Sequence, residues 1–547
     1  MIRDEKIWIA NTENGENISI IPKMANRHGL VAGATGTGKT VTLKVMAESF
    51  SDMGVPVFMA DVKGDIAGMM NPGTDSEDMQ KRIAKFGLAE AGFEYKGYPV
   101  TLWDIFGKSG IPLRTTISEM GPLLLSRILG LNDLQSDILS IIFKIADDNN
   151  LLLIDTKDLK SMLAYVDDHS SDLAADYGKI SSASIGVITR AIVSLETEGG
   201  DIFFGEPALN ISDWLQIGAG GKGMINVLAS DSLISNGKLY STFLLWLLSE
   251  LFETLPEVGD MSKPKMVFFF DEAHLLFNDT PKVLLEKIEQ VVKLIRSKGV
   301  GVYFCTQNTR DIPDGVLAQL SNKVQHGLRA YTPSDQKAVR AAADSFRVNP
   351  DFDTFDTILN LGTGEAVVSF LQEDGVPSIA TKVNILPPQC SMSAAADSQR
   401  EQCVKESLLY SKYANEVDPD SAYEFLQRKG LEEQAEKEAK QQAEREEKEA
   451  QKRAEQEEKE AKKKAEQEEK EKQKAKERAE KEAQKKEEKE KKAKQQAMKT
   501  VGNSVVGTVG RELGKNIGGK YGKFGKTLGG NVGASLGRGL LSTLFKK

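Results

Sequence analysis

Histidine and cysteine are scarce in this chain, with four His and three Cys among 547 residues. The histidines, at 28, 169, 274 and 326, have no metal-ligand spacing, and nothing supports a metal-only centre or a Ser/His/Asp hydrolase. Cys305, Cys390 and Cys403 form neither a ligand set nor an even disulfide framework, which suits a reducing cytosol. Cys305 lies in an apolar strand pattern and reads as a packed small residue. Long apolar runs are lacking as well. None reaches the ~18 residues of a membrane span, and the closest, Phe243 to Phe252, is broken by Ser249 and Glu250 and reads as a buried helix. No secretory leader pattern opens the chain, so the expected location is cytoplasmic. Positive charge is also short overall. The net charge is −9; residues 1–430 hold about −17, residues 431–500 are nearly neutral, and 501–547 carry about +7. An acidic body argues against a broad nucleic-acid-binding exterior, although a local basic channel is compatible with it.

What is present is chemically specific. Gly33-Ala34-Thr35-Gly36-Thr37-Gly38-Lys39-Thr40 fits the phosphate-binding loop pattern G-x-x-x-x-G-K-[ST]. Glycines let the backbone wrap so that its N–H groups point at phosphates. Lys39 would reach the β/γ oxygens, and the Thr40 hydroxyl would bind Mg²⁺. Residues 28–32 read as a short buried strand and 41–50 as a helix, whose N-terminus adds partial positive charge. The loop therefore implies ATP and Mg²⁺.

A second signal is Val267-Phe-Phe-Phe-Asp-Glu-Ala-His274, an apolar strand ending in Asp-Glu, the Walker B pattern. Asp271 would hold Mg²⁺ through its water shell, and Glu272 would polarise the attacking water. The third is Tyr303-Phe-Cys-Thr-Gln-Asn308, a strand ending in Gln307, placed to sense the γ-phosphate or orient water. The order of loop, Asp-Glu strand and Gln strand is stronger than any one of them.

Around these motifs, strands alternate with helices. A hairpin at 6–10 and 18–21 comes first, then strands at 55–60, 98–105, 224–228, 265–270, 300–306 and 324–330, and a closing hairpin at 364–372 and 376–385. Helices are expected at 236–255, 281–297, 313–321 and 333–343. Residues 107–222 read as a helical insertion. The alternation predicts an α/β fold with a mainly parallel central sheet covered on both faces.

Together the motifs resemble the HerA–FtsK superfamily of ring-forming, DNA-pumping ATPases, and within it the bacterial YjgR-type HerA-helicase-like proteins. GATGTGKT, VFFFDEAHLLF and IRSKGVGVYFCTQNTRDIP carry the resemblance, which extends over 1–388 and includes Asp61-Val-Lys-Gly-Asp65. It implies a RecA-like P-loop NTPase, a homo-hexamer with ATP bound between subunits, double-stranded DNA as partner, and an arginine finger acting on the neighbour's ATP. Arg296 matches the basic position of the family motif, and Arg329 is a second candidate; a surface or structural role is open for both. The loop begins at residue 33, so the N-terminal barrel of that family is expected to be missing. Asp271-Glu-Ala-His274 also spells the box of DEAH helicases, but a second motor domain with arginine-rich motifs is not found, and His274 reads as structural or coupling. Asp61-Val-Lys-Gly64 spells the D-x-x-G of GTPases, but no guanine-specificity motif follows.

Beyond Pro388 the character changes. Residues 389–430 read as a linker with a short helix. Residues 431–499 are almost wholly Glu, Lys, Gln, Ala and Arg, with an 11-residue repeat from Ala443, Ala454 and Ala465. Glu444–Lys448, Glu455–Lys459 and Glu466–Lys470 are favourable i,i+4 pairs. A solvated helical spacer is preferred over a coiled coil, because only alanines mark its seam. In 500–547 glycines recur every four residues at 510–522 and 525–537, each after an apolar residue, with Lys and Arg between. This glycine-zipper-like pattern favours an interaction segment over a flexible basic tail, with self-association and membrane-surface or protein contact both open. A scaffold regulated by ATP and tethered through this tail is therefore the rival to a DNA motor.

Overall fold

The computed structural model describes residues 1–230, 237–277 and 282–493. Among them lies one sheet of thirteen strands: β1 (Ile2–Arg3), β2 (Lys6–Asn11), β3 (Asn17–Ile20), β4 (Gly29–Ala32), β5 (Val57–Asp61), β6 (Val100–Asp104), β7 (Ile111–Pro112), β8 (Ile225–Ala229), β9 (Met266–Phe270), β10 (Val300–Thr306), β11 (Asn322–His326), β12 (Glu365–Ser369) and β13 (Thr381–Ile385). The spatial order is β1-β2-β13-β12-β11-β4-β10-β9-β5-β8-β6-β7, with β3 also on β2. From β11 to β7 the neighbours pair in parallel, and β12, β13, β2, β1 and β3 extend one side in antiparallel pairs. This is the expected RecA-like α/β class with a mainly parallel central sheet.

The parallel strands other than β11 are mostly apolar because both faces are covered. Successive side chains point to opposite sides, and the core divides accordingly. Phe58, Phe268, Phe270 and Phe304 join one cluster, while Val57, Met59, Val267, Phe269, Tyr303 and Cys305 join the other. The first face is covered by α2 (Ile117–Leu129), α3 (Asp133–Asp148), α4 (Thr156–Asp168), α5 (Ser182–Thr197) and α6 (Gly237–Thr254). The 107–222 segment is thus mainly helical but shares the sheet's core: Trp214 stacks on Phe58 with ring centroids 4.8 Å apart. The second face is covered by α1 (Lys39–Asp52). The helix expected at 313–321 is a single turn, Asp314–Leu317. Where it ends, Ser321 and Asn322 turn their N–H groups to the carbonyls of Arg27 and His28 and start β11.

Residues 389–430 differ from the linker expected for them. They lie within a compact unit that runs from Met1 to Lys437. Side chains of α1 hold the beginning of this strap. Lys44, 1 % exposed, donates to the carbonyls of Asp65 and Ser391, both at 2.8 Å, and the Glu48 carboxylate accepts from the N–H groups of Gln389 at 3.0 Å and Cys390 at 2.7 Å. Farther on, Arg400 donates to Gly64 O at 2.6 Å and Arg114 to Tyr413 O at 2.8 Å. Lys44, Glu48 and Arg114 are buried charges that take hydrogen-bond partners from this segment, which is the physical reason it is packed.

The second unit runs from Glu438. Its described part, 438–493, belongs to the helix Ala422–Ala493. The glycine-patterned segment at 500–547 and residues 494–499 lie outside the described residues. No described helix is long and apolar enough to cross a membrane.

Candidate functional site

Topology brings the three sequence motifs to one edge. The loop Gly33–Thr40 leaves β4, Asp271 and Glu272 leave β9, and Gln307 leaves β10, which lies between the other two strands. All three leave the carboxyl ends of parallel strands, where ligands of open α/β sheets bind. The strand and the loop are tied directly, since Gly33 N donates to Thr306 O at 3.2 Å.

The loop is closely packed against the strand beyond β4. A Cβ on Gly33 would stand 2.5 Å from the Cβ of His326, so only glycine fits there. Gly38 holds φ +114°, a conformation that L side chains rarely adopt, and this turns the chain into α1. Lys39 is buried and folds back, its Nζ donating to Gly33 O at 2.7 Å and Ala34 O at 3.1 Å. Thr37 Oγ1 donates to Ala34 O at 2.7 Å, and Thr40 is half-buried at the start of α1.

A hydrogen-bonded chain crosses the mouth of the site. Thr35 Oγ1 donates to Gln307 Oε1 at 3.3 Å, and Gln307 Nε2 donates to the Glu272 carboxylate at 3.2 and 3.3 Å. Glu272 has φ +49°, a strained value for a non-glycine residue. It is held there by its N–H on Asp271 Oδ1 at 2.9 Å and by the turn in which Ala273 N donates to Cys305 O at 2.9 Å. His274 Nδ1 lies 3.3 Å from the Glu272 carboxylate. Asp271 is buried, and burial raises its carboxyl above the usual range, opposed by a hydrogen bond from the Cys305 thiol.

The arginines lie elsewhere. Arg296 is exposed before β10, at the opposite edge of the sheet from the loop. Arg329 is exposed beyond the carboxyl end of β11, 3.5 Å from Leu359 O. Neither joins the hydrogen-bonded chain of Thr35, Gln307 and Glu272.

One residue at the site went unsingled in the sequence. His326, fully buried at the end of β11, has Nε2 2.9 Å from Thr42 Oγ1 and Nδ1 3.0 Å from Glu365 O. No spacing signal could reveal it, because Thr42 is 284 positions away in the chain.

The model of the family described as "Helicase HerA-like C-terminal" matches residues 6–526. The chain belongs to this family. Among curated proteins, the HerA-like chain is 30% identical over 99 residues to the DNA double-strand break repair helicase HerA of Sulfolobus acidocaldarius. That stretch is 18% of this chain and 19% of the relative, so the match spans about a fifth of the relative's length. Among solved structures, the plasmid coupling protein TrwB in complex with ADP and Mg²⁺ is similar at 17% identity and a TM-score of 0.47, over 69% of this chain and 88% of that one. VirB4 of Thermoanaerobacter pseudethanolicus is similar at 15% identity and a TM-score of 0.43, over 70% and 97%.

Proposed function

We propose that this chain is a Mg²⁺-dependent ATPase of the HerA–FtsK superfamily, of its YjgR-type branch, that assembles as a homo-hexameric ring and translocates on double-stranded DNA. The observation that carries the reading is the hydrogen-bonded chain Thr35–Gln307–Glu272, which links the phosphate loop to an acidic strand end. A phosphate loop alone serves many chemistries. A carboxylate set beside it, and tied to it through an amide, suits activation of water for attack on a terminal phosphate.

In this reading the loop N–H groups and Lys39 bind the β- and γ-phosphates. The Thr40 hydroxyl and the Asp271 carboxylate are hard oxygen ligands of the kind that hold Mg²⁺ together with substrate phosphates. Bound there, Mg²⁺ would neutralise phosphate charge. Glu272 orients and deprotonates the attacking water. Gln307, hydrogen-bonded to both the loop and Glu272, reports whether a γ-phosphate is present. Arg296 or Arg329 of a neighbouring subunit supplies positive charge to the transition state. Arg296 is the better placed for action in trans, since it is exposed and far along β10 from its own loop.

The test is steady-state ATP hydrolysis with and without linear duplex DNA. Wild-type hydrolysis is expected to rise with DNA. Glu272→Gln should lower kcat by about 10²–10⁴-fold, the usual worth of a general base, and Lys39→Ala should lose nucleotide binding. Wild-type rates in either variant would end the enzymatic reading. Hydrolysis lost in the variants but indifferent to DNA would instead favour the tethered scaffold.

A further inference from the structure

Beside the phosphate loop, the carboxyl end of β11 and the turn before β12 form a second wall. Ala34 N donates to Gly327 O at 3.0 Å, and Gly364 N donates to Thr37 O at 3.0 Å. His326 sits between these two ties with none of its surface exposed. Its Cβ lies under Gly33, and its Cε1 is 3.5 Å from where a Cβ on Gly38 would be. His326 therefore lies against the first and last glycines of the pattern, with its Cβ at Gly33 and its ring at Gly38.

The ring's two nitrogens fix its tautomer. Glu365 O, 3.0 Å from Nδ1, can only accept, so Nδ1 carries the proton. Nε2 is then a lone pair, and at 2.9 Å it accepts the Thr42 hydroxyl. Thr42 lies in the first turn of α1, and its other acceptor in reach is Gly38 O at 3.3 Å. Both nitrogens are thereby occupied, which leaves the ring no proton to exchange with a substrate.

We infer that His326 is a positioning residue for nucleotide binding: as the Nδ1–H tautomer it locks the phosphate loop and the first turn of α1 onto the β11–β12 wall, so that Lys39 and Thr40 are presented in one register to the triphosphate. This rests on the ATPase reading above. It goes beyond it by assigning nucleotide affinity to a residue that contacts no phosphate and acts through Thr42 and the loop glycines.

The test compares His326→Gln, His326→Asn and His326→Ala with Thr42→Val and Thr42→Ser in the full chain. The readouts are equilibrium binding of a fluorescent ATP analogue with Mg²⁺, kcat and KM taken separately, and the melting temperature. A glutamine oxygen falls near Nε2 and can still accept from Thr42, whereas an asparagine amide falls near Nδ1 and cannot. His326→Asn, His326→Ala and Thr42→Val are expected to weaken binding and raise KM by about tenfold, the scale of one buried hydrogen bond left unmade. His326→Gln and Thr42→Ser should stay within about threefold of wild type. The double variant His326→Asn/Thr42→Val should be no worse than either single one. If the histidine variants do not fold, the contrast between Thr42→Val and Thr42→Ser decides alone. Equal affinities across folded variants would overturn the inference, and so would losses that follow only the melting temperature, with Gln as poor as Ala. A wild-type protein that binds no ATP at all would instead refute the ATPase reading itself.

Discussion

His326 has a counterpart in His28, and the pair makes acid stability a property of two residues. Burial disfavours the charged ring and lowers both to about 4 from the ordinary 6.5. His28 Nδ1 accepts the Val302 N–H at 3.0 Å, so its proton sits on Nε2. Between pH 6.5 and about 4 the unfolded chain takes up protons at both rings while the folded chain does not. Stability therefore falls as pH falls through that window, by up to about 3 kcal/mol per histidine. Glu48, Asp61 and Asp271 are raised by burial and act with the opposite sign. The histidine share is therefore read as a difference. Urea unfolding at pH 7 and pH 5 is expected to show a loss in wild type that is smaller in His326→Gln, and parallel losses in the two proteins would contradict the assignment. The loop, Glu272 and Gln307 were legible in the sequence because each is announced by local spacing and by an apolar strand just before it. His326 was not, since its value comes from Thr42 and Glu365, which only the sheet brings to it.

At the scale of elements, the apolar runs foretold the central strands, and the breaks between them foretold the alternation with helices. The strap at 389–430 escaped notice for a definite reason. Its polar composition is that of a linker, and its partners on α1, Lys44 and Glu48, look like surface residues of an amphipathic helix. Only the fold shows both to be 1 % exposed and bonded to backbone groups of the strap or of the loop after β5. Glu48→Ala would leave the N–H groups of Gln389 and Cys390 without their acceptor. At about 1–3 kcal/mol for each unmade buried bond, we expect a loss of about 2–4 kcal/mol in urea unfolding, together with faster tryptic cleavage at Arg400. Glu48→Gln keeps an amide oxygen and should lose less. An alanine variant within about 0.5 kcal/mol of wild type would mean that the strap is not held through this carboxylate. Because α1 begins with Lys39, the same contacts join the strap to the element that carries the loop's lysine.

At the scale of the whole molecule, the boundary lies at Lys437 rather than at the Pro387-Pro388 step where composition changes. Composition marks where apolar residues become sparse, whereas the unit ends where burial ends. From Glu438 on, the helix has every described side chain exposed. The described residues of this stretch bury no apolar area of their own, so the hydrophobic effect does not account for the helix. What sustains it is alanine-rich helix propensity and ion pairs such as Glu455–Lys459 at 3.9 Å and Glu458–Lys462 at 3.0 Å. Exposed i,i+4 pairs are worth about 0.3–0.5 kcal/mol each and are screened by salt. A chain ending at Lys437 is expected to melt within about 2 °C of the full protein, a shift worth no more than about 2 kcal/mol in a unit of this length, and to keep its ATP hydrolysis. The ellipticity at 222 nm lost with the deletion should shrink when the two proteins are compared in 1 M rather than 0.05 M NaCl. A large drop in melting temperature on truncation would show that the helix is packed against something in solution. A drop in hydrolysis alone, dependent on protein concentration, would show instead that the region beyond Lys437 helps copies of the chain associate.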